Sequence, residues 1–593
     1  MTNRLMNVRR LLSAALLAAG LVTAAAGAAP GQSFFAEPVQ DPKVDLRFDR
    51  YYSFPQMEEV LRELEQAYPK FLELVSIGKS WEGRDMWLMI VNNPDTGPHE
   101  EKTAFWVDGN IHGNEIQGVE INLYLIWFLM ENYEMPEVRR LVDERAFYVL
   151  PTQNPDGRQH WFEEANTSSS SRSGVRPLDS DNDGRADEDG YDDLDGDGHI
   201  TSMRKYTPGR GNMKVSDVDP RLMVRVGPGE TGDWTMLGSE GIDNDGDGRI
   251  NEDGPGGYDL NRNWPTDWKP DYIQRGAHWY PFSHPEARAV GEFLLAHPNV
   301  AGVQSWHNSG GMILRGPGAS SYRDGAGYPR EDIRAYDYIG ERGELILPYY
   351  NYYIIWDDLY TVYGGFIDWT YDGLGIFSFS NELWSRNQYF NEAWDEDAPV
   401  PAEKRMLFYN DRLGLGAWYV DWHEVEHPEY GTIEVGGWSK YFNRVTVPFM
   451  LQEMCHRNAM FALFHADQMP MVQMDQVEVE RLEGDTWQVT ATVVNPKAIP
   501  SRASIARINR IGLPDSFTIE GRRVEVEAGG YVSGSLGEQI RLVEHDPAHL
   551  SIESGVPGRG EIRVRWIVSG SGSVTLTYRS QKGGTVSRSV DLR

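Results

Sequence analysis

The stretch 103–115, TAFWVDGNIHGNE, constrains this chain more than any other. Ala104 to Val107 is an apolar run suited to a buried strand, and Asp108-Gly109-Asn110 supplies turn residues that end it. From 116 to 130 apolar residues recur at helical spacing, so His112 and Glu115 fall where a strand hands over to a helix. An imidazole and a carboxylate three residues apart at such a corner can reach one cation from the same side, and a nitrogen-plus-oxygen donor set suits zinc. Composition tempers this reading. Fourteen His in a Glu-rich chain yield the HxxE spacing by accident, and His160/Glu163 and His423/Glu426 match it too. The first copy gains weight only from residues further along.

With 593 residues, 40% of them apolar, the chain can hold more than one domain with ample core. Its formal charge of −33 argues against nucleic acid as a partner, because phosphates would be repelled. Residues 1–29 read as a secretory signal: Arg4, Arg9 and Arg10 precede the apolar LLSAALLAAGLVTAAA, and small residues around Ala26 to Ala29 offer a cleavage site. A membrane anchor is the rival reading, but the run is short for a span, and no later segment has the ~20 apolar residues a membrane helix needs. The expected mature chain is secreted or periplasmic. Cys455 is the one cysteine, so no internal disulfide can form, and it is expected in the core.

Strands alternate with helices over 40–470. A helix opened by Ser53 and Pro55 is expected to about Tyr68, followed by strands over 72–77, 85–91 and 146–150, the last ending in a turn at Asn154-Pro155-Asp156-Gly157. Helices are expected over 285–296, 331–345 and about 447–465. Strands over 300–306 and 376–379 deliver His307 and Glu382 at their ends. This alternation is that of an α/β sheet covered on both faces. From Val477 onward TWQVTATVV, RRVEVEA, EIRVRWIV and SVTLTYRS alternate apolar with polar residues between turn signals, which predicts an all-β sandwich over 475–593.

Between Gly157 and Tyr258 the composition shifts to Ser, Gly, Asp and Arg, an insertion set at about 172–256. Three segments in it share one spacing: Asp179-x-Asp181-x-Asp183-Gly184, Asp193-x-Asp195-x-Asp197-Gly198 and Asp243-x-Asp245-x-Asp247-Gly248. Alternate carboxylates followed by Gly let a tight loop wrap a hard cation with several oxygens, which is calcium chemistry. None has Glu at the twelfth position, so these are not complete EF-hands, although Asp187, Asp189, Glu252 and Asp253 could close two of them. Three solvated acidic turns are the plain alternative; the repetition favours structural Ca2+.

Taken in order, His112-x-x-Glu115, Asp259-x-Asn261-Arg262, His307, Tyr360 and Glu382 resemble the active-site series of the zinc metallocarboxypeptidases, the carboxypeptidase A-like peptidases. NPDG, SWH, YxxxGGxIDW and SFxxEL add local matches, and the resemblance spans roughly 51–467. It implies a mixed central sheet, a bound Zn2+, and a peptide or protein substrate with a free C-terminus. It also implies roles: His112, Glu115 and His307 as zinc ligands, Glu382 as general base and then acid, and Asp259 orienting His112. Asn261 and Arg262 match the pair that grips the terminal carboxylate, and Tyr360 the tyrosine that closes over substrate. Ile367 matches the base of the specificity pocket, where an aliphatic side chain implies apolar or aromatic C-terminal residues. Two departures stand out. Asn114 replaces an arginine common in the family, and the oxyanion-stabilising arginine has two candidates, Arg172 and Arg176, of which Arg172 is preferred.

His423-Glu424-Val425-Glu426-His427 is a formal HExxH, but Pro428 and Gly431 follow at once, so the helix that motif needs could not continue. The sequence leaves two other functions open: an amidase or peptidase using the same zinc centre on cell-wall or other modified peptides, and a calcium-dependent binding protein without turnover.

Overall fold

The structure is a computed structural model that describes residues 41–384, 402–442, 444–534 and 538–593; the expected secretory signal at 1–29 lies outside the described residues. Eight strands form the main sheet in the spatial order Leu72–Lys79, Asp85–Val91, Arg145–Leu150, Thr103–Gly109, Val300–Asn308, Phe377–Leu383, Met312–Arg315 and Asn351–Ile354. The four central strands run parallel, whereas Leu72–Lys79, Asp85–Val91 and Met312–Arg315 pair antiparallel, so the sheet is mixed. Every residue of Thr103–Gly109 is buried, and its side chains alternate between two cores. Phe105 and Val107 face helices Phe54–Ala67, Gln117–Glu131, Arg330–Ile346 and Pro448–Asp467; Ala104 and Trp106 face Pro285–Ala296 and Phe366–Leu374. A strand covered on both sides has no polar face to spare, which is why its sequence is nearly continuous in apolar residues.

One expected turn is a helix start. At Asn154-Pro155-Asp156-Gly157 the chain enters the helix Pro155–Glu163, with the Asn154 side chain accepting a hydrogen bond from the Gly157 N–H at 2.8 Å. Proline in the first helical turn costs nothing because its missing N–H has no intrahelical partner there.

The insertion folds into a second sheet that borrows distant chain: Tyr419–His427, Gly431–Trp438, Ser202–Gly211, Gly232–Ser239, Met213–Val215 and Met223–Arg225, in that order. The HExxH segment is therefore a strand, hydrogen-bonded antiparallel to Gly431–Trp438. In each of the three Asp loops the first carboxylate closes the turn on the sixth-position glycine N–H, at 3.0 Å for Asp179, 2.8 Å for Asp193 and 2.9 Å for Asp243. Gly184, Gly198 and Gly248 all have φ between 83° and 101°, a region that side-chain-bearing residues resist. Beyond Val472, sheets of five and four strands pack face to face around Trp487, Phe517, Trp566, Leu576 and Tyr578, the expected sandwich. Cys455 is buried. Among the described residues no helix is long and apolar enough to cross a membrane.

His465 sits at the centre of the larger core, edge-on to Phe105 and Phe379, with neither ring nitrogen hydrogen-bonded. Burial alone pushes its pKa down to about 3. The unfolded chain binds a proton here below pH 6.5 and the folded chain does not, so stability is lost as pH falls through that window, about 3 kcal/mol by pH 4. His465→Leu is expected to move the acid-unfolding midpoint to lower pH in near-UV circular dichroism; an unchanged midpoint would mean that the ring is protonated in the fold.

Candidate metal centre

The carboxyl ends of the parallel strands meet at one edge, where open α/β sheets place their sites. His112 and Glu115 lie in the turn after Thr103–Gly109, and His307 is the penultimate residue of Val300–Asn308. Gly113 is obligatory in this turn: a Cβ there would lie 2.4 Å from the Ser171 carbonyl oxygen and 2.6 Å from the Gly157 carbonyl carbon. Parallel pairing in register puts Glu382 beside His307 on the next strand. The four groups are thus fixed by strand register, although up to 270 residues separate them.

His112 Nδ1 stands 3.0 Å from Glu115 Oε1, His307 Nδ1 2.9 Å from Glu115 Oε2, and the two Nδ1 atoms 3.2 Å from each other. His112, Glu115 and His307 are all buried. Two nitrogens about 2.05 Å from a tetrahedral zinc would stand about 3.3 Å apart, so the donor set fits that ion in kind and in spacing. The back of each ring is also held. Asp259 Oδ1 takes the Nε2 side of His112 at 3.0 Å, and the Asn261 amide lies 3.4 Å from His307 Nε2. A carboxylate behind a ligating imidazole fixes its orientation and strengthens it as a ligand.

Arg172 donates from Nε to Asp259 Oδ2 at 3.2 Å and from Nη1 to Glu115 Oε1 at 3.0 Å. Burial opposes ionisation of both acids, but Arg172 and His112 hold Asp259, and His112 and His307 hold Glu115, well below the usual carboxylate range. Glu382 goes the other way: burial and the neighbouring Glu115 charge push its carboxyl up to about 7, against His307, Arg172 and Arg444. Two acids in one pocket are driven apart, one fixed as an anion and one able to hold a proton near neutrality.

A model of the zinc carboxypeptidase family matches residues 57–196 and 230–400, more than half of the chain. The chain belongs to the zinc carboxypeptidase family. The stretch the match omits, 197–229, lies in the Asp-rich insertion, and residues 471–591 match a domain family of unknown function. Carboxypeptidase D of Rattus norvegicus is 39% identical over 141 residues, covering 23% of this chain and 10% of that protein. Carboxypeptidase M of Mus musculus is 36% identical over 112 residues, covering 18% and 25%. The aligned segments therefore span a quarter or less of these relatives' length. The solved carboxypeptidase A of Helicoverpa armigera is 16% identical, with a TM-score of 0.41, covering 74% of this chain and 80% of that one.

In this member of the zinc carboxypeptidase family the cleft at His112 and His307 is also lined by Arg172, Asn261, Arg262, Tyr360, Ile367 and Glu382. Tyr360 is 57% exposed and follows the short helical turn Ile355–Leu359, whereas Ile367 is buried near the start of Phe366–Leu374. Arg176 lies elsewhere, stacked between Trp81 and Trp279 with its Nη1 on the Ser283 carbonyl. The nine aspartates of the three loops lie in the insertion, away from this cleft's lining; Asp179, Asp181 and Asp183 cluster within metal-binding distance. His423 of the HExxH faces Asp195 at 3.0 Å, and His427 Nε2–H donates to the Gly241 carbonyl at 2.9 Å, so the two histidines serve different contacts.

The residue that sequence reasoning missed is Arg444. Its Nη1 donates to the Asn308 carbonyl at 2.9 Å and lies 3.6 Å from Glu115 Oε1. It comes from the segment before the last long helix and carries no motif, so no signal in the chain pointed to it. Asp368 also lies in the cleft lining; its Oδ1 accepts from the Gly318 N–H at 3.2 Å, and burial pushes its carboxyl up to about 7.

Proposed function

We propose that this zinc carboxypeptidase is a secreted or periplasmic enzyme that removes C-terminal residues, preferentially apolar or aromatic ones, from peptides. One observation carries the reading: Arg262 and Asn261 line the same cleft as His112, His307 and Glu382. An anchor for a terminal carboxylate in the same cleft as the hydrolytic groups selects the last peptide bond. Arg262 is buried, with Nη1 on the Asn261 carbonyl at 2.8 Å, and a planar guanidinium favours two-point contact with a carboxylate.

Zinc held by His112, Glu115 and His307 would supply Lewis acidity that polarises the scissile carbonyl and eases removal of a water proton. Glu382 takes that proton and returns it to the leaving amine, a cycle suited to a carboxyl near neutrality. Arg172, fixed between Asp259 and Glu115, presents fixed positive charge to the developing oxyanion, and a preorganised donor of this kind is effective because it need not reorient. Tyr360, exposed at the cleft mouth, closes over the substrate. Leu314, Ile355, Val362, Phe366 and Ile367 supply the apolar wall for the terminal side chain. The Asp loops are read as structural calcium sites.

Peptides ending in Phe, Leu, Lys or Glu, each with a free or amidated C-terminus, test this by mass spectrometry with and without a zinc chelator. Cleavage is expected one residue at a time from free termini, fastest for Phe and Leu. Arg262→Met is expected to lower kcat/KM on free termini by about 10- to 100-fold, the loss of a charged hydrogen-bonding group. Equal cleavage of amidated peptides would overturn the role of Arg262 and favour an amidase.

A further inference from the structure

Two of the three Asp loops are copies of a longer unit. Residues 179–190, DSDNDGRADEDG, and 243–254, DNDGDGRINEDG, both read D-x-D-x-D-G-R-x-x-E-D-G, whereas the loop that begins at Asp193 lacks the terminal Glu and Asp. In the fold the two copies face each other. Asp189 and Asp253, both fully buried and equivalent in the unit, form a reciprocal bridge in which each N–H donates to the other's carbonyl at 3.2 Å. Their carboxylates interleave across the bridge: Glu188 groups with Asp183 and Asp245, and Glu252 with Asp181 and Asp247, each set having donor atoms within 4.8 Å of one another.

The pair also contains acceptor oxygens with nothing to accept. Asp189 Oδ1 takes one hydrogen from the Asn244 amide of the other copy at 3.3 Å, while its Oδ2 has no hydrogen-bond partner in a side chain withdrawn from solvent. Oε2 of Glu188 and Oε2 of Glu252 are likewise shielded and unpartnered. Carboxylate oxygens held together and away from water are unfavourable unless a cation satisfies them, and an all-oxygen, multi-carboxylate cage suits calcium rather than zinc.

The position of the pair in the chain gives it a purpose. Asp179 follows Arg172 by seven residues, and Asp259 follows Gly254 by five. Between these ends the strands of chain are already stitched: Ser173 Oγ donates to the Tyr258 carbonyl, and the Arg176 N–H to the Tyr258 hydroxyl at 3.1 Å. We propose that the two units form one composite calcium site to which both loops supply ligands at once, and that this site clamps the two ends of the insertion so that Arg172 and Asp259 stay at the metal centre. The proposal rests on the calcium reading above.

Full-length protein stripped of metals and reloaded with one equivalent of zinc is dialysed against CaCl2, and bound calcium is counted by mass spectrometry. Asp181→Asn, Asp245→Asn, their double variant and Asp193→Asn are compared, with zinc content and far-UV circular dichroism as checks on folding. Either single variant is expected to lose the pair's whole calcium complement and the double variant no more, while Asp193→Asn loses only the third loop's share. A double variant that loses twice what a single one loses would overturn the composite site and leave calcium binding intact. Wild type that takes up no calcium at millimolar concentration while retaining zinc would overturn the calcium reading itself. For the clamp, calcium is expected to slow amide hydrogen exchange at least tenfold over 168–178 and 255–262; unchanged exchange there overturns it.

Discussion

Replacing Glu382 with Gln is expected to lower kcat by about 10²- to 10⁴-fold, the usual contribution of a positioned general base, with zinc content unchanged. The separation of the two effects follows from where the side chain is anchored. Glu382 is not one of the three converging donors; it reaches the site because Phe377–Leu383 runs parallel to Val300–Asn308 with Glu382 opposite His307. Gln keeps the size and the strand pairing and removes only the ability to carry a proton. Steady-state kinetics beside metal analysis checks this. A variant with near-normal kcat would remove Glu382 from the chemistry, and a variant that lost its zinc would make it a ligand.

The second large effect is on stability. Arg158 and Glu120 form an ion pair at 2.8 Å with both side chains fully withdrawn from solvent. Arg158 also donates to the Ile116 carbonyl at 2.8 Å and to the Tyr52 carbonyl at 3.0 Å, so it ties the helix Pro155–Glu163 to the turn that carries His112 and Glu115. Removing one partner of a buried pair leaves the other charge uncompensated, at a cost of about 3–5 kcal/mol. Arg158→Leu is expected to lose that much in denaturant unfolding, and Arg158→Leu with Glu120→Leu to recover part of it. A loss under about 1 kcal/mol, the size of an exposed pair, would mean that water reaches the site.

Much of this was legible beforehand, for local reasons. Asp85–Val91 has the bounds its apolar run predicts, and the alternating C-terminal segments are strands of a sandwich. The three Asp loops have one turn geometry because one spacing of carboxylates and glycine dictates it. The helix start at Asn154, where an Asn cap and Pro155 in the first turn replace the expected turn, was a local signal read wrongly. What else escaped was non-local. The HExxH segment forms a hairpin with Gly431–Trp438, which in turn pairs with Ser202–Gly211 about two hundred residues earlier, so its place at the edge of that sheet is set by distant chain. Arg444 reaches Glu115 only through the path of the chain before Pro448–Asp467.

By itself the sequence determined which groups were available: two imidazoles and a carboxylate able to hold zinc, a second acid, a guanidinium–amide pair, and three acidic loops. Those are properties of residue types and short spacings, set within a few bonds. The tertiary structure alone decided that His307 faces His112, that Glu382 lies beside His307, that Arg172 rather than Arg176 reaches the centre, and that two of the acidic loops meet across a bridge. Each of these depends on strand register and helix packing between segments tens to hundreds of residues apart, where burial of the whole sheet, and not any local preference, sets the distance.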